Sequence, residues 1–194
     1  MKKNKIGKII ALGLSALLIF LVAGMFIWSR TGTYPAKSVA LSAMESSDTV
    51  TVTQDEFIVF SPSTETQTGL VFYPGALVEP AAYAPVLHGI AESGVLVVIT
   101  PMPLNFAIFN PNAANTAIAE FPQITTWFIA GHSLGGAAAG IYAENNPDQL
   151  NGLAFWDSFP PQSSDLSDND LLVYSIYGTT DGFPNTDNFD DNRV

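Results

Sequence analysis

The sequence contains no cysteine, and its few basic residues are unevenly placed. Without cysteine the chain has no disulfide, no thiol nucleophile and no lipid attached through sulfur. Five of the seven basic residues precede residue 31, whereas all 18 acidic residues follow it, so residues 31–194 carry a net charge of −16. Such a surface repels phosphate groups, which argues against nucleic acid as a partner.

Metal ligands are also scarce. The acidic residues near the C-terminus, Asp187, Asp190 and Asp191, have a spacing that fits no calcium-binding loop, and only two histidines occur in the chain. The sequence therefore predicts no metal site and no cofactor.

One long apolar run, residues 9–28, lies near the N-terminus behind four lysines. Its length matches the ~20 residues of a membrane-spanning helix, whereas the apolar part of a cleavable signal peptide has roughly 7–15. The only candidate cleavage site, Val22-Ala23-Gly24, lies inside the run, so an uncleaved anchor is favoured over a cleaved signal. The lysines predict a single-pass cell-membrane protein with residues 1–8 in the cytoplasm and the rest of the chain outside.

Beyond a predicted juxtamembrane linker (29–48), β-rich runs alternate with helical periodicity along residues 49–194. The predicted strands are 49–53, 57–61, 69–73, 95–100, 126–130, 153–156 and 171–177, and the predicted helices are 79–93, 113–121 and 134–145. This alternation indicates an α/β domain with a mostly parallel sheet and helices on both faces, entered through a β-hairpin.

The segment Gly131-His132-Ser133-Leu134-Gly135 matches the pattern G-x-S-x-G between a predicted strand and a predicted helix. In that context the pattern places a nucleophilic serine on a sharp turn, whose neighbours must be small. Gly131 and Gly135 meet this requirement. The competing interpretation is a glycine-rich turn with an incidental serine.

An acyl-transfer site also needs backbone N–H donors for the oxyanion, an acid and a base. The predicted donors are Leu134, which follows the serine, and Ala76, in the loop after the strand that ends at residue 73. Asp181 follows the last predicted strand and is favoured as the acid over Asp157, which follows the preceding one.

Neither of the two histidines is well placed to act as the base. His132 adjoins the serine, but in this kind of turn the side chain at that position points away from the nucleophile. His88 falls within the helix predicted for residues 79–93.

Five blocks, residues 73–85, 97–109, 131–136, 152–160 and 175–182, resemble the alpha/beta-hydrolase superfamily, most closely the bacterial alpha/beta hydrolase fold-5 family. The resemblance implies an alpha/beta-hydrolase fold with Ser133 as nucleophile, Asp181 as acid, and Ala76 and Leu134 as oxyanion donors. It also implies a histidine after Asp181. Since none follows, we expect the sequence to be truncated at its C-terminus, with the base beyond Val194.

The expected function is that of a membrane-anchored, extracytoplasmic serine hydrolase acting on a small ester or related acyl compound. Without its histidine the 194-residue chain is expected to be inactive. The alternative is a catalytically inactive hydrolase-fold binding module. Met102, Phe106, Phe109 and Trp156 are candidates either for an apolar acyl pocket or for the core.

The charge pattern around residues 9–28 generates a topological prediction. Protease added outside intact cells should digest residues 31–194 and leave the N-terminal lysines protected. Digestion seen only after permeabilisation would contradict the orientation, and a mature protein beginning near Met25 would contradict the anchor.

Overall fold

The computed structural model describes residues 2–167 and 170–178, with side chains described from residue 7 onward. Its first helix, α1 (Lys2–Thr31), contains a stretch, Gly7–Thr31, that is long and apolar enough to cross a membrane. A signal sequence would meet the same criterion. The helix belongs to a compact unit that ends at Thr33, and a second unit begins at Tyr34.

The second unit is built around one seven-stranded sheet. Its strands are β1 (Val50–Gln54), β2 (Ile58–Pro62), β3 (Thr68–Tyr73), β4 (Leu96–Ile99), β5 (Thr126–His132), β6 (Gly152–Trp156) and β7 (Leu172–Ile176). They lie in the order β1-β2-β4-β3-β5-β6-β7. The β1–β2 hairpin and the β2–β4 pair are antiparallel, and the pairs from β4 to β7 are parallel. The hairpin entry and the mostly parallel sheet are therefore confirmed.

Helices cover both faces of this sheet, and the small side chains they present allow close packing. The helices are α2 (Ser38–Ser42), α3 (Ala84–Glu92), α4 (Ala113–Glu120) and α5 (Leu134–Asn145). On one face Leu87 and Ala91 of α3 share a core with Phe60 and Phe72. On the other, α4 and α5 bury alanines against the alternate side chains of the same strands, such as Val71, Ile129 and Leu153. The alternation of side chains along each strand supplies both cores.

The helix predicted for residues 79–93 begins differently in the structure. A 3₁₀ turn, Pro80–Tyr83, precedes α3, which starts at Ala84. Pro85 explains the break, because a proline inside a continuous α-helix would lack an N–H and its ring would clash with the carbonyl of residue 81. Proline is tolerated in the first turn of a helix, and the new helix begins there.

Much of the predicted linker 29–48 belongs to the sheet-containing unit. The Tyr34 N–H donates to the Leu77 carbonyl, and the Ala36 N–H donates to a Glu79 carboxylate oxygen at 2.7 Å. Met44 is buried in the core beneath α3. This segment therefore bonds some of its backbone groups to the rest of the domain and contributes Met44 to its core.

The last strand, β7, leaves apolar side chains in solvent. Leu172, Tyr174 and Ile176 are each more than half exposed, whereas Leu153 on neighbouring β6 is 1% exposed. These two leucines, one residue apart in ladder register, give a matched pair for testing the core.

Leu153→Ala should lower the free energy of unfolding by about 2–5 kcal/mol, because it removes buried methyl groups and leaves a cavity. Leu172→Ala should change it by no more than about 0.5 kcal/mol, since that side chain is mostly in water. Urea denaturation of the full chain in detergent micelles measures both. Equal losses would contradict the assignment of the core to β6 and its neighbours.

Candidate functional site

Backbone strain is concentrated at one edge of the sheet. Within the described residues, five non-glycine residues have positive φ: Leu77, Leu104, Asn105, Ser133 and Asp157. They follow the C-terminal ends of β3, β4, β5 and β6, which are adjacent strands. Asparagine and aspartate tolerate this region, but leucine and serine adopt it at a cost of ~1–3 kcal/mol each. Strain of this kind gathers at functional sites, so this edge is the candidate site.

Ser133 occupies the turn between β5 and α5, with φ 51° and ψ −124°. Its side chain is exposed and does not cap the helix that follows. No hydrogen bond from its hydroxyl occurs within the described part of the chain. The predicted strand–turn–helix around the serine is confirmed, and the turn presents a hydroxyl to solvent.

The end of β6 holds this turn in place. The Ser133 N–H donates to the Trp156 carbonyl at 3.0 Å, and the buried Ser158 hydroxyl donates to the Ser133 carbonyl at 2.6 Å. Both peptide groups that flank the strained residue are therefore fixed by one neighbouring strand. Sequence reasoning missed Ser158, whose only signal was its position two residues beyond a predicted strand.

Close backbone approaches explain the two glycines of the pattern. A β-carbon at Gly131 would lie 2.4 Å from the carbonyl carbon of Gly135, and one at Gly135 would lie 2.2 Å from the Tyr73 oxygen. Neither distance is sterically possible. Helix α5 thus begins in direct contact with the end of β3.

The loop after β3 lies beside the turn, because Tyr73 pairs with Gly131 in the parallel ladder. Three of its amides are used inside the protein: Gly75 donates to the Tyr83 hydroxyl at 2.9 Å, Leu77 to the Asn105 carbonyl at 3.0 Å, and Val78 to the Gly75 carbonyl at 3.2 Å. The Ala76 N–H has no acceptor among the described residues. In a trans peptide the C=O and the N–H point in opposite directions. Because the Gly75 carbonyl points into the turn of residues 75–78, where it accepts from Val78, the Ala76 N–H points out of that turn.

The N-terminus of α5 supplies a second backbone donor. Leu134 is the first helical residue, and first-turn amides have no partner within their own helix. The Gly136 N–H donates to the Ser133 carbonyl at 2.9 Å. The Leu134 N–H has no acceptor among the described residues and no cap from the Ser133 side chain, so it remains available to a ligand. The helix dipole adds a partial positive charge at the same point.

His132 faces the loop after β3. Its Nδ1 lies 2.9 Å from the Tyr83 hydroxyl. Burial lowers the pKa of His132, and the charge of Asp157 offsets part of this by raising it. Burial also raises the pKa of Tyr83, although its bond to the Gly75 amide works the other way. At neutral pH the pair is therefore an uncharged imidazole and a protonated phenol.

His88 lies on a different part of the domain. Its Nδ1 bonds to the Ala43 carbonyl at 2.9 Å, and its Nε2 lies 3.3 Å from the Ser47 hydroxyl and 3.8 Å from a Glu92 carboxylate oxygen. These contacts attach α3 to the segment before β1. In the part of the chain that the structure describes, no hydrogen bond joins either imidazole to Ser133.

The structure describes only one of the two candidate acids. Asp157 follows β6, and its carboxylate accepts the Gly178 N–H at 2.9 Å, while its own N–H donates to the Ile176 carbonyl at 2.8 Å. One of its carboxylate oxygens therefore binds the segment just after β7. Asp181 lies outside the described residues.

The apolar candidates divide between core and surface. Met102 is buried and Trp156 packs beside Phe72 at a ring distance of 4.9 Å. Phe106 and Phe109, after β4, form a pair at 5.7 Å, and Phe109 is 54% exposed. The loop after β4 therefore exposes apolar surface at the same edge of the sheet as the serine.

A cavity of about 680 Å³ lies at the opposite edge of the sheet, between Gln67, Leu96 and Ile124 at the starts of the parallel strands. Its only ionisable lining residue is Glu65. Volume alone would favour this cavity, but none of its lining residues has the positive φ at the start of a helix that Ser133 has, so the strained edge is the better candidate. No cluster of three metal-ligating side chains occurs within the described residues.

The model of the alpha/beta hydrolase family matches residues 69–194. The chain belongs to this family. No protein of curated function matches the chain.

Solved structures show the same fold at low identity. The Francisella virulence factor BioJ is 12% identical, with a TM-score of 0.50 over 61% of this chain and 47% of that one. Carboxyl esterase 2 from Tuber melanosporum is 13% identical, with a TM-score of 0.49 over 64% of this chain and 48% of that one. A lipase-like protein (a "putative lipase") from Acinetobacter baumannii is 17% identical, with a TM-score of 0.48 over 60% and 44%. The chain thus spans about half the length of the structures it matches.

The conformation of Ser133 generates a stability prediction. Ser133→Gly should be more stable than Ser133→Ala by about 1 kcal/mol, because glycine removes the strained β-carbon and offsets part of that gain through its greater unfolded-state entropy. Both variants lack the hydroxyl, so their difference isolates the β-carbon. Urea denaturation in micelles measures it, and an alanine variant at least as stable as the glycine variant would show that the turn is unstrained.

Proposed function

We propose that the protein is a serine hydrolase of the esterase type and that Ser133 is its nucleophile. The observation that carries this proposal is the positive-φ turn that exposes a serine hydroxyl at the start of a helix. This hydroxyl has no hydrogen bond within the described residues, and the turn is fixed by hydrogen bonds from Trp156 at the end of β6 and from Ser158 just beyond it. Strain maintained by such anchors has a functional explanation, since a relaxed turn would be more stable. The hydroxyl oxygen would attack an acyl carbonyl and form a tetrahedral intermediate.

The negative charge of that intermediate needs preorganised donors. We assign this role to the N–H groups of Ala76 and Leu134. The Ala76 amide alone among residues 75–78 lacks an acceptor in the described chain, and Leu134 begins α5 directly after the serine. Loss of one such donor typically slows acyl transfer ~10²–10³-fold.

The acid and base complete the proposal. We assign the acid to Asp181, because the Asp157 carboxylate is already bonded to the Gly178 N–H. The base is neither of the two histidines present: His132 bonds to Tyr83, and His88 bonds to Ala43 on another part of the domain. We propose that the base is a histidine other than these two, which would complete a Ser-Asp-His triad.

The substrate we propose is a small ester or related acyl compound with an apolar acyl group. The loop after β4 contacts the predicted oxyanion loop through the Leu77–Asn105 hydrogen bond, and it exposes Ile108 and Phe109. We also propose that α1 anchors the protein in the membrane, with the hydrolase domain on the outer side.

The experiment is to label Ser133 with a fluorophosphonate and to add imidazole as an external base. The 194-residue chain should label slowly, because neither His88 nor His132 is bonded to the serine, and Ser133→Ala should not label. Imidazole should accelerate the labelling, and Asp181→Asn should reduce that acceleration by removing the carboxylate that would orient the ring.

Three outcomes would contradict parts of the proposal. Rapid labelling without imidazole that disappears in His88→Ala would identify His88 as the base. A response to imidazole that is lost in Asp157→Asn and kept in Asp181→Asn would transfer the acid role. A chain that is inert under all conditions would favour a binding module.

A further inference from the structure

We propose that Tyr83 is a positioning residue of the oxyanion loop, acting on the Ala76 N–H through Gly75. This inference rests on the proposed function, in which the loop must hold the Ala76 N–H in a fixed position. Tyr83 lies in the 3₁₀ turn before α3, and its hydroxyl is shared between the Gly75 N–H and the His132 Nδ1, both at 2.9 Å.

The shared hydroxyl fixes the peptide that precedes the proposed donor. Tyr83 binds the N–H of Gly75, while Val78 binds its carbonyl at 3.2 Å. Gly75 is therefore held on both sides, and the Ala76 N–H is part of the same planar peptide unit as the Gly75 carbonyl. A shift of Gly75 would rotate that donor directly.

The Tyr83 hydroxyl has a single proton, and this determines which group donates in each of its two hydrogen bonds. Because the oxygen accepts from Gly75, its proton is free to donate to the Nδ1 of His132, which must then carry its own proton on Nε2. His132 thus serves as the acceptor that keeps the Tyr83 oxygen turned towards Gly75. It acts behind the nucleophile and takes no proton from it.

Packing leaves this arrangement little freedom. A β-carbon at Gly75 would lie 2.6 Å from His132 Nδ1 and 2.9 Å from the Tyr83 oxygen, so only glycine fits between them. The Tyr83 ring packs beside Phe72 at 4.8 Å and beside the His132 ring at 5.7 Å. The hydroxyl is therefore delivered by a ring that is itself fixed.

The arrangement predicts a dependence on pH. Among the described residues, the titratable groups that act on His132 are Tyr83 and Asp157, while the carboxylate of Glu79, in the same turn region, is directed to the Ala36 N–H. Protonated His132 would carry a proton on Nδ1, and the Tyr83 oxygen would then face two donors. Burial lowers the pKa of His132, so this competition begins only below the ordinary histidine pKa of about 6.5.

The test compares Tyr83→Phe with Tyr142→Phe in the full chain in micelles. Both changes keep the ring and remove a hydroxyl from a tyrosine bonded inside the domain, but Tyr142 bonds to Asn115 and Gln149 near the far end of α5. Tyr83→Phe should slow fluorophosphonate labelling of Ser133 about tenfold to a hundredfold, because the developing oxyanion loses a well-placed donor. Tyr142→Phe should leave the rate unchanged.

Two further readouts separate positioning from general stability. Amide hydrogen exchange of Gly75, followed by NMR, should accelerate in Tyr83→Phe and stay unchanged in Tyr142→Phe. The ratio of wild-type to Tyr83→Phe labelling rates should be constant above about pH 6.5 and should fall below it as His132 protonates. This ratio cancels any effect of pH on the serine that both proteins share.

The possible failures are distinguishable. Labelling that persists in Ser133→Ala would overturn the proposed function and this inference with it. Labelling that requires Ser133 but is equally fast in Tyr83→Phe and Tyr142→Phe would overturn the inference alone. Unchanged Gly75 exchange in Tyr83→Phe would overturn it as well, whatever the labelling rate.

Discussion

The pairing of β5 with β6 is the constraint on which the candidate site depends. Ser133 has a backbone conformation that serine avoids, and the Trp156 carbonyl and Ser158 hydroxyl bind the two peptide groups around it. A hydrogen bond to a well-ordered buried partner contributes ~0.5–1.5 kcal/mol, so two of them balance a strain of ~1–3 kcal/mol. The backbone conformation of Ser133 is stabilised by the chain at the end of β6 more than by the residues next to the serine.

Close packing is the second constraint, and it requires glycine at three positions. Gly131 and Gly135 let the first turn of α5 rest against the end of β3, and Gly75 leaves room for the Tyr83 and His132 side chains. The sequence showed a glycine-rich turn and a Pro-Gly step. It did not indicate that Gly75, in the Pro-Gly step, is required by side chains from two other elements. Because these three glycines have no β-carbon, the backbone can pack closely beside Ser133 and around the Tyr83 hydroxyl.

Local signals in the sequence were sufficient for the fold and for the position of the serine. The β-branched run at residues 95–100 and the G-x-S-x-G turn each have a short-range physical signature, and both elements occur where they were expected. Tyr83, Ser158 and the packing of residues 34–48 were not predictable in this way. Their roles depend on partners 8 to 49 residues away, and no pattern within one segment encodes such contacts.

The anchoring of Ser133 by β6 has a consequence for how the molecule folds. The serine and its two partners are separated by a whole helix and a strand, and the turn acquires its strained shape only when β6 has paired in the correct register. A slip of one residue would turn the Trp156 carbonyl away from β5 and would displace the Ser158 hydroxyl from the Ser133 carbonyl. The strained conformation of residue 133 therefore depends on the completed pairing of β5 with β6, and without that pairing the turn would relax.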